Sequence, residues 1–344
     1  MYTYNCSNEN YLIINVLFTN NIPNQNQIKL TDFDKLTVIL SNHLIIPAFY
    51  SKSFKKKILK FYPKGFKEYI REIYIINKNR NNILKEEIHY LNSLFKKNNL
   101  NPIFIKGAAY ILSEIYEDIG KRMIGDIDIL FLDSEHDKAN EILKGVGFKP
   151  TLKFNFNKNS RHLPRLKSNN FLFSVELHSR VLESKSYEYF KFDKIKNSII
   201  FVNGFTILNN LNNLLINIYS FQINDFGYLK LSYSYKNLYD SYLLARELDN
   251  LEIDNNFLKS YFHIANNLDI KILKNKIFIP SNTFLFNFFL RKITGKLSYL
   301  YQIVIQKFFL KLKQINYFFS SDIYRNHVRK KIKKYLFQIF NVKN

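Results

Sequence analysis

The chain has 344 residues, 47% of them hydrophobic, and its 51 Lys and Arg outnumber 28 Asp and Glu to give a formal net charge of +23. That length suffices for two or three domains and a sizeable core. The single cysteine, Cys6, excludes an intrachain disulfide and any cysteine-built zinc cluster, and no apolar run approaches the roughly 20 residues a membrane span needs. Such an excess of cations points to a polyanionic partner or an acidic membrane surface, although plentiful Lys, Asn, Ile, Phe and Tyr also suit an AT-rich coding sequence.

The start, MYTYNCSNEN, lacks the basic region of an export signal, which together with the lone thiol predicts a cytoplasmic location. Residues 1 to about 50 mix short apolar runs with Asn-rich stretches and carry no evident chemistry. From SKSFKKKILKF to LFKKNNL the pattern is helical, with Ile83, Leu84, Ile88, Leu91, Leu94 and Phe95 on one stripe. Asn99, Asn101 and Pro102 are placed to end that helix. IFIKG then reads as a short strand closing on glycine, and AAYILSEIYEDIG as a helix ending near Gly120. IGDIDILFLD is a second strand, and EHDKANEILKGVGF a helix followed by a turn. In NNFLFSVELHSR the alternation puts Phe171, Phe173, Val175 and Leu177 on one face and Leu172, Ser174, Glu176 and His178 on the other. SIIFVNGFTIL predicts a hairpin with Asn203 and Gly204 as a type I′ turn. From NNLNNLLINIYSF onward the chain is predominantly helical. The expected class is α+β, a small mixed sheet with flanking helices. Three parts are expected: mostly helical residues 1–97, an α/β core over 98–208, and a helical domain with a basic tail over 209–344.

Asp126-Ile127-Asp128 carries the clearest chemical signal. Side chains alternate along a strand, so both carboxylates leave one face while Ile127 and Ile129 enter the core. Unpaired carboxylates are costly to bury, and two at a strand end can share divalent cations roughly 3.5 to 4 Å apart. Glu176 offers a third acid from a separate strand, and an oxygen-rich set of this kind suits Mg²⁺. Where IFIKG turns into a helix, the backbone N–H groups after Gly107, with Lys106 and Arg122 nearby, form an expected anion site. No G-x-x-x-x-G-K-[ST] is present. KEEIHY lacks the second histidine of a zincin, and His136 in SEHDK reads as an exposed connection.

The run from NLNPIFIKGAAYILSEIYEDIGKRMIGDIDIL to VELH resembles the uncharacterised nucleotidyltransferase branch of the polymerase β-like nucleotidyltransferase superfamily. The features it shares are a lysine-glycine-alanine strand-to-helix turn, an arginine before Gly-Asp-x-Asp and a later Glu-Leu-His strand. It spans about residues 75 to 245 and includes His162 and Pro164 of RHLPRL and a downstream helix ending in Asp240. The resemblance implies that Asp126, Asp128 and Glu176 bind catalytic metal, Mg²⁺ or Mn²⁺. It also implies that Lys106, Gly107, Ala108 and Arg122 bind the nucleotide, and that His162, His178 and Asp240 contact substrate. Lys106-Gly107 stands where the wider superfamily has glycine-serine. The activity implied is transfer of a nucleoside monophosphate from an NTP to a hydroxyl of a small molecule, an RNA or tRNA end, or a protein. The alternative is an inactive member that serves as a binding or scaffold protein.

Arg291 to Asn344 carries thirteen Lys or Arg against Asp322 alone, more than half the net charge of the chain. KFFLKLKQINYFF and RKKIKKYLFQIF interleave apolar stripes with lysines. Three partners compete for this tail: the protein's own core with a solvated basic face, nucleic acid, and anionic lipid contacted peripherally. Lys330, Lys331, Lys333 and Lys334 would set the salt dependence of nucleic-acid binding.

Overall fold

A computed structural model describes residues 7–151, 162–182, 190, 195–248, 251–253, 255–273 and 278–341. Four short helices open the chain: α1 (Asn8–Leu17), α2 (Gln25–Lys29), α3 (Phe33–Asn42) and α4 (Ile46–Lys55). The starts of the first three follow from side-chain caps, because Ser7, Asn24 and Asp32 accept hydrogen bonds from the first-turn amides of α1, α2 and α3. Next comes α5 (Lys64–Lys97), which buries Phe66, Ile70, Leu84, Ile88, Leu91 and Phe95. Of the expected stripe, Ile83 lies instead on the solvent side. The helix stops where expected, with Asn98 as cap and Asn99 in the left-handed region at φ 56°.

The strands are β1 (Ile103–Ile105), β2 (Asp126–Leu130), β3 (Lys149–Pro150), β4 (Leu166–Lys167), β5 (Ser174–His178), β6 (Ile199–Val202) and β7 (Phe205–Leu208). They form one seven-stranded mixed sheet in the order β3-β4-β5-β2-β1-β7-β6. β1 runs antiparallel to β2 and parallel to β7, while β2 and β5 are parallel. The β6–β7 hairpin turns at Asn203 and Gly204, with φ of 50° and 89°, as a type I′ turn requires. Only Ser174–His178 of the longer predicted stretch is strand. α5 lies against the apolar face: the Arg80 guanidinium covers the Phe173 ring, His89 meets Phe205 edge-on, and Phe95 meets Phe131.

Between β1 and β2 lies α6 (Lys106–Leu112), eight residues shorter at its end than the sequence suggests. Ser113 caps it, Glu114 turns left-handed at φ 56°, and the chain is then drawn toward α4 and α5. Asp118 anchors that detour, accepting from Ser51 and Tyr74 side chains and from the Gly120 amide to start a 3₁₀ turn at Ile119–Lys121. α7 (Asp133–Gly145) buries His136, whose Nε2 lies 3.0 Å from the Leu177 carbonyl. The expectation of a solvated histidine is thereby overturned: the helix begins at Asp133, so position 136 faces the sheet.

The remainder is α8 (Asn210–Tyr219), a π-helical segment at Ser220–Asn224, α9 (Gly227–Lys230), α10 (Tyr235–Leu244), α11 (Asn256–Asn267), α12 (Asn282–Thr294), α13 (Lys296–Ser320) and α14 (Asp322–Asn341). α10 continues past Asp240 to Leu244 rather than ending at the aspartate. No helix among the described residues is long and apolar enough to cross a membrane. The side chains of Lys333 and Lys334 lie outside the described residues.

Candidate active site

The register of β2 on β5 pairs Asp126 with Ser174, Asp128 with Glu176 and Leu130 with His178. Paired residues of neighbouring strands share a face, so Asp126, Asp128, Glu176 and His178 all project together. β1 joins on the other side of β2 with Ile105 opposite Asp128, and the residue after it, Lys106, delivers its ammonium to Asp128 Oδ1 at 2.5 Å. His178 Nε2 lies 2.7 Å from the same oxygen and 3.6 Å from Glu176 Oε2. Donor atoms of Asp128, Glu176 and His178 lie within 4.8 Å of one another, close enough to surround one cation. Asp126 joins this cluster through Arg165, whose Nη2 donates to Asp126 Oδ2 and Glu176 Oε1, each at 2.8 Å.

Charge state follows from these neighbours. Burial opposes ionisation of Asp128, but Lys106 and His178 overcome it and hold the carboxyl well below the usual range. Burial likewise opposes ionisation of Glu176, yet His178 and Arg165 bring it down to about 2. Asp126 goes the other way: burial and the charges of Asp128 and Glu176 raise it beyond what Lys106 and Arg165 offset. The three carboxylates of this face thus stand against the Lys106 ammonium, the Arg165 guanidinium and the His178 ring. An oxygen-rich set with a guanidinium and an ammonium already lodged against it fits a hard divalent cation.

Lys106 adopts φ 52°, a left-handed conformation that costs a non-glycine residue about 1 kcal/mol or more and that clusters at functional sites. The turn was expected at Gly107, and the structure puts it one residue earlier. Gly107 is needed for a different reason, since a Cβ there would lie 2.6 Å from Arg122 Nη1 and 3.3 Å from Ile124. Gly107 and Ala108 are buried in the first turn of α6.

Arg122 is itself buried. Its Nε and Nη2 donate to the two carboxylate oxygens of Asp240, each at 2.9 Å, and its guanidinium lies 5.0 Å from the Tyr110 ring centre. Tyr116 donates to the same carboxylate. Burial disfavours the Arg122 cation, but Asp240 raises its pKa nonetheless. Two asparagines of α5, whose role no local sequence pattern reveals, hold the preceding loop. Asn77 donates to the carbonyls of Gly120 and Arg122, and Asn81 to those of Ile119 and Arg122, at 2.6–3.0 Å. A Cβ on Gly120 would lie 2.7 Å from the Tyr74 ring, so glycine permits this approach.

Beside Lys106 opens a polar cavity of about 300 Å³, lined by Lys106, Arg122, Lys236, Asn217, Asn224 and Asn237 among others. Its wall includes Ser220 and Phe221 of the π-helical segment, a geometry common at functional sites. Lys236 went unnoticed in the sequence. Burial and the neighbouring Arg122 lower its pKa, and it makes no side-chain hydrogen bond or ion pair among the described residues. Arg165 was also missed as a site residue, although it lies in the RHLPRL segment that carried the resemblance. His162 stands at the margin, with its ring edge-on to His178 at 5.2 Å and its Nδ1 2.8 Å from the Leu163 carbonyl.

A family model described as uncharacterised nucleotidyltransferase matches residues 29–258, about two thirds of the chain. The protein belongs to this nucleotidyltransferase family. Comparison with curated proteins and with solved structures gives no match. The matched span covers every site residue described above, from the asparagines of α5 to Lys236 and Asp240 of α10.

Proposed function

We propose that the protein transfers a nucleoside monophosphate from an NTP to an acceptor hydroxyl, as members of the polymerase β-like superfamily do. One observation carries the reading: Asp126 and Asp128 of β2 and Glu176 of β5 share one face, beside Lys106 and the polar cavity. Asp126, Asp128 and Glu176 are the residues that would hold Mg²⁺ or Mn²⁺, with His178 orienting Asp128. Such an ion, when bound, supplies charge neutralisation of the triphosphate and makes a coordinated hydroxyl easier to deprotonate.

The chain's own groups do the rest. Lys106, presented by a strained turn, meets phosphate oxygens as a point charge, and α6 is too short for its dipole to substitute. Lys236 faces the same cavity and is the second cation for the triphosphate. Arg122 is committed to Asp240, so the pair positions the cavity wall instead of gripping substrate. In the reaction the acceptor oxygen bonds the α-phosphorus, the bond from that phosphorus to the α,β-bridging oxygen breaks, and pyrophosphate leaves. On this reading Glu176 would receive the acceptor's proton. The acceptor is a small molecule, an RNA or tRNA end, or a protein.

The test is to incubate the full chain with each of four α-labelled NTPs, Mg²⁺ or Mn²⁺, and RNA, protein and metabolite extracts. Label transfer that disappears in a folded Asp128→Asn variant supports the enzyme. Absence of transfer in every extract, with nucleic-acid or lipid binding retained, supports the scaffold reading in its place.

A further inference from the structure

The helices beyond the family match present an apolar surface that packing does not use. α12 faces inward with Phe284 and Phe288, which pack on Tyr228 and His263, yet its other side exposes Phe286, Phe289 and Ile293. α13 continues the pattern: Leu297, Tyr301, Val304, Phe308, Leu312, Ile315 and Phe319 recur every three or four residues and are 43–75% exposed. That spacing places them along a single line of the helix. Monomeric proteins rarely expose contiguous apolar surface on this scale without a partner.

Charge identifies the partner. At 100° per residue, Lys307 and Lys311 fall on one border of the α13 line, and both are exposed. Arg329, Lys330 and Lys331 of the adjoining α14 are exposed as well, and Asp322 is the only acid from Arg291 onward. An apolar line bordered by lysines is the pattern of a helix lying in a bilayer interface, with side chains among acyl chains and ammonium groups at the phosphates. Leu297 and Tyr301 also wall an apolar cavity of about 380 Å³ between α9, α12 and α13, floored by Tyr228 and Phe284. The line thus opens onto a recess suited to hydrocarbon.

We propose that the exposed apolar line of α12 and α13, bordered by Lys307 and Lys311, docks the protein on an anionic phospholipid bilayer without spanning it. Nucleic acid would engage the lysines but leave Leu297, Val304, Leu312 and Ile315 in water. A second copy would bring like-charged basic borders together. Docking does not depend on the nucleotide site, so it stands or falls separately from the transfer activity.

The experiment is co-sedimentation of the full chain with phosphatidylcholine vesicles containing roughly one-third phosphatidylglycerol, compared with phosphatidylcholine alone. Anionic vesicles should be bound at least about tenfold more tightly, and the preference should shrink at high salt. Val304→Asn with Ile315→Asn, and separately Lys307→Glu with Lys311→Glu, should each weaken binding about tenfold or more while circular dichroism stays unchanged. Three results would overturn the proposal: no binding by the wild type, anionic-vesicle binding that survives both double variants, or a wild-type dimer made monomeric by the asparagine pair. Tight binding of a single-stranded RNA lost only in the glutamate pair, with vesicles ignored, would assign the surface to nucleic acid.

Discussion

Removing Asp240 should strand the Arg122 guanidinium in the interior. Arg122 is 8% exposed and Asp240 1%, and the two form a bidentate pair at 2.9 Å, with Tyr116 as a third member. A surface ion pair contributes about 0 to 1 kcal/mol, whereas breaking a buried pair from one side costs about 3 to 5 kcal/mol, because the remaining charge is left unsolvated. Asp240→Asn keeps the shape and one acceptor and belongs near the lower end, and Asp240→Ala belongs near the upper end. The assay is urea denaturation at pH 7 followed by far-UV circular dichroism, with the midpoint falling and the slope unchanged. Arg122→Met combined with Asp240→Leu leaves no stranded charge and should recover at least half of the loss, a strongly non-additive cycle. A cost below about 1 kcal/mol for either single change, or a double variant that loses the sum of its singles, would refute the desolvated clamp and the positioning role assigned to it.

His43 accepts the Tyr235 amide proton at Nδ1, and burial lowers its pKa from 6.5 to about 4. The unfolded chain then binds the extra proton first, so stability is full above pH 6.5 and falls by on the order of 3 kcal/mol as the pH drops to 4. Urea midpoints across that range should show the loss in the wild type, and a smaller slope in His43→Asn; equal slopes would contradict the assignment. Gly107→Ala should cost about 1 to 3 kcal/mol because its Cβ meets Arg122, while Gly125→Ala, with nothing within 4 Å, should be nearly neutral, as thermal melts would show. Arg165→Ala removes the guanidinium that bridges Asp126 and Glu176 and should tighten Mn²⁺ binding several-fold by calorimetry. Unchanged or weaker affinity would mean that Arg165 supports the carboxylates and does not compete with the ion.

The features that were legible in the sequence are those set by local rules. Strand alternation at Asp126-Ile127-Asp128, the helix stop at Asn99 and the Asn203-Gly204 turn each depend on a few neighbouring residues, and each is found as expected. Glu176 could be matched to Asp128 because a one-sided strand leaves it only one face. What local pattern does not show is the long-range pinning. α6 ends early because Asp118 finds Ser51 and Tyr74 from other helices, and the β2 entry is fixed by asparagines more than 40 residues upstream of Arg122. His136 reads as surface until α7 is placed on β5. The left-handed turn at Lys106 defies residue preference, which would have chosen Gly107, and it makes sense only once the ammonium is seen on Asp128. Lys236 carries no signature at all until α10 closes the polar cavity.

Titration of Mn²⁺, followed by electron paramagnetic resonance with and without a non-hydrolysable NTP analogue, probes the acidic face most directly. The account predicts Mn²⁺ binding by the wild type, strengthened by the analogue, and lost in both Asp128→Asn and Glu176→Gln variants that keep the wild-type circular dichroism. Mn²⁺ uptake that is indifferent to both substitutions, or no uptake by the wild type even with nucleotide present, would contradict it.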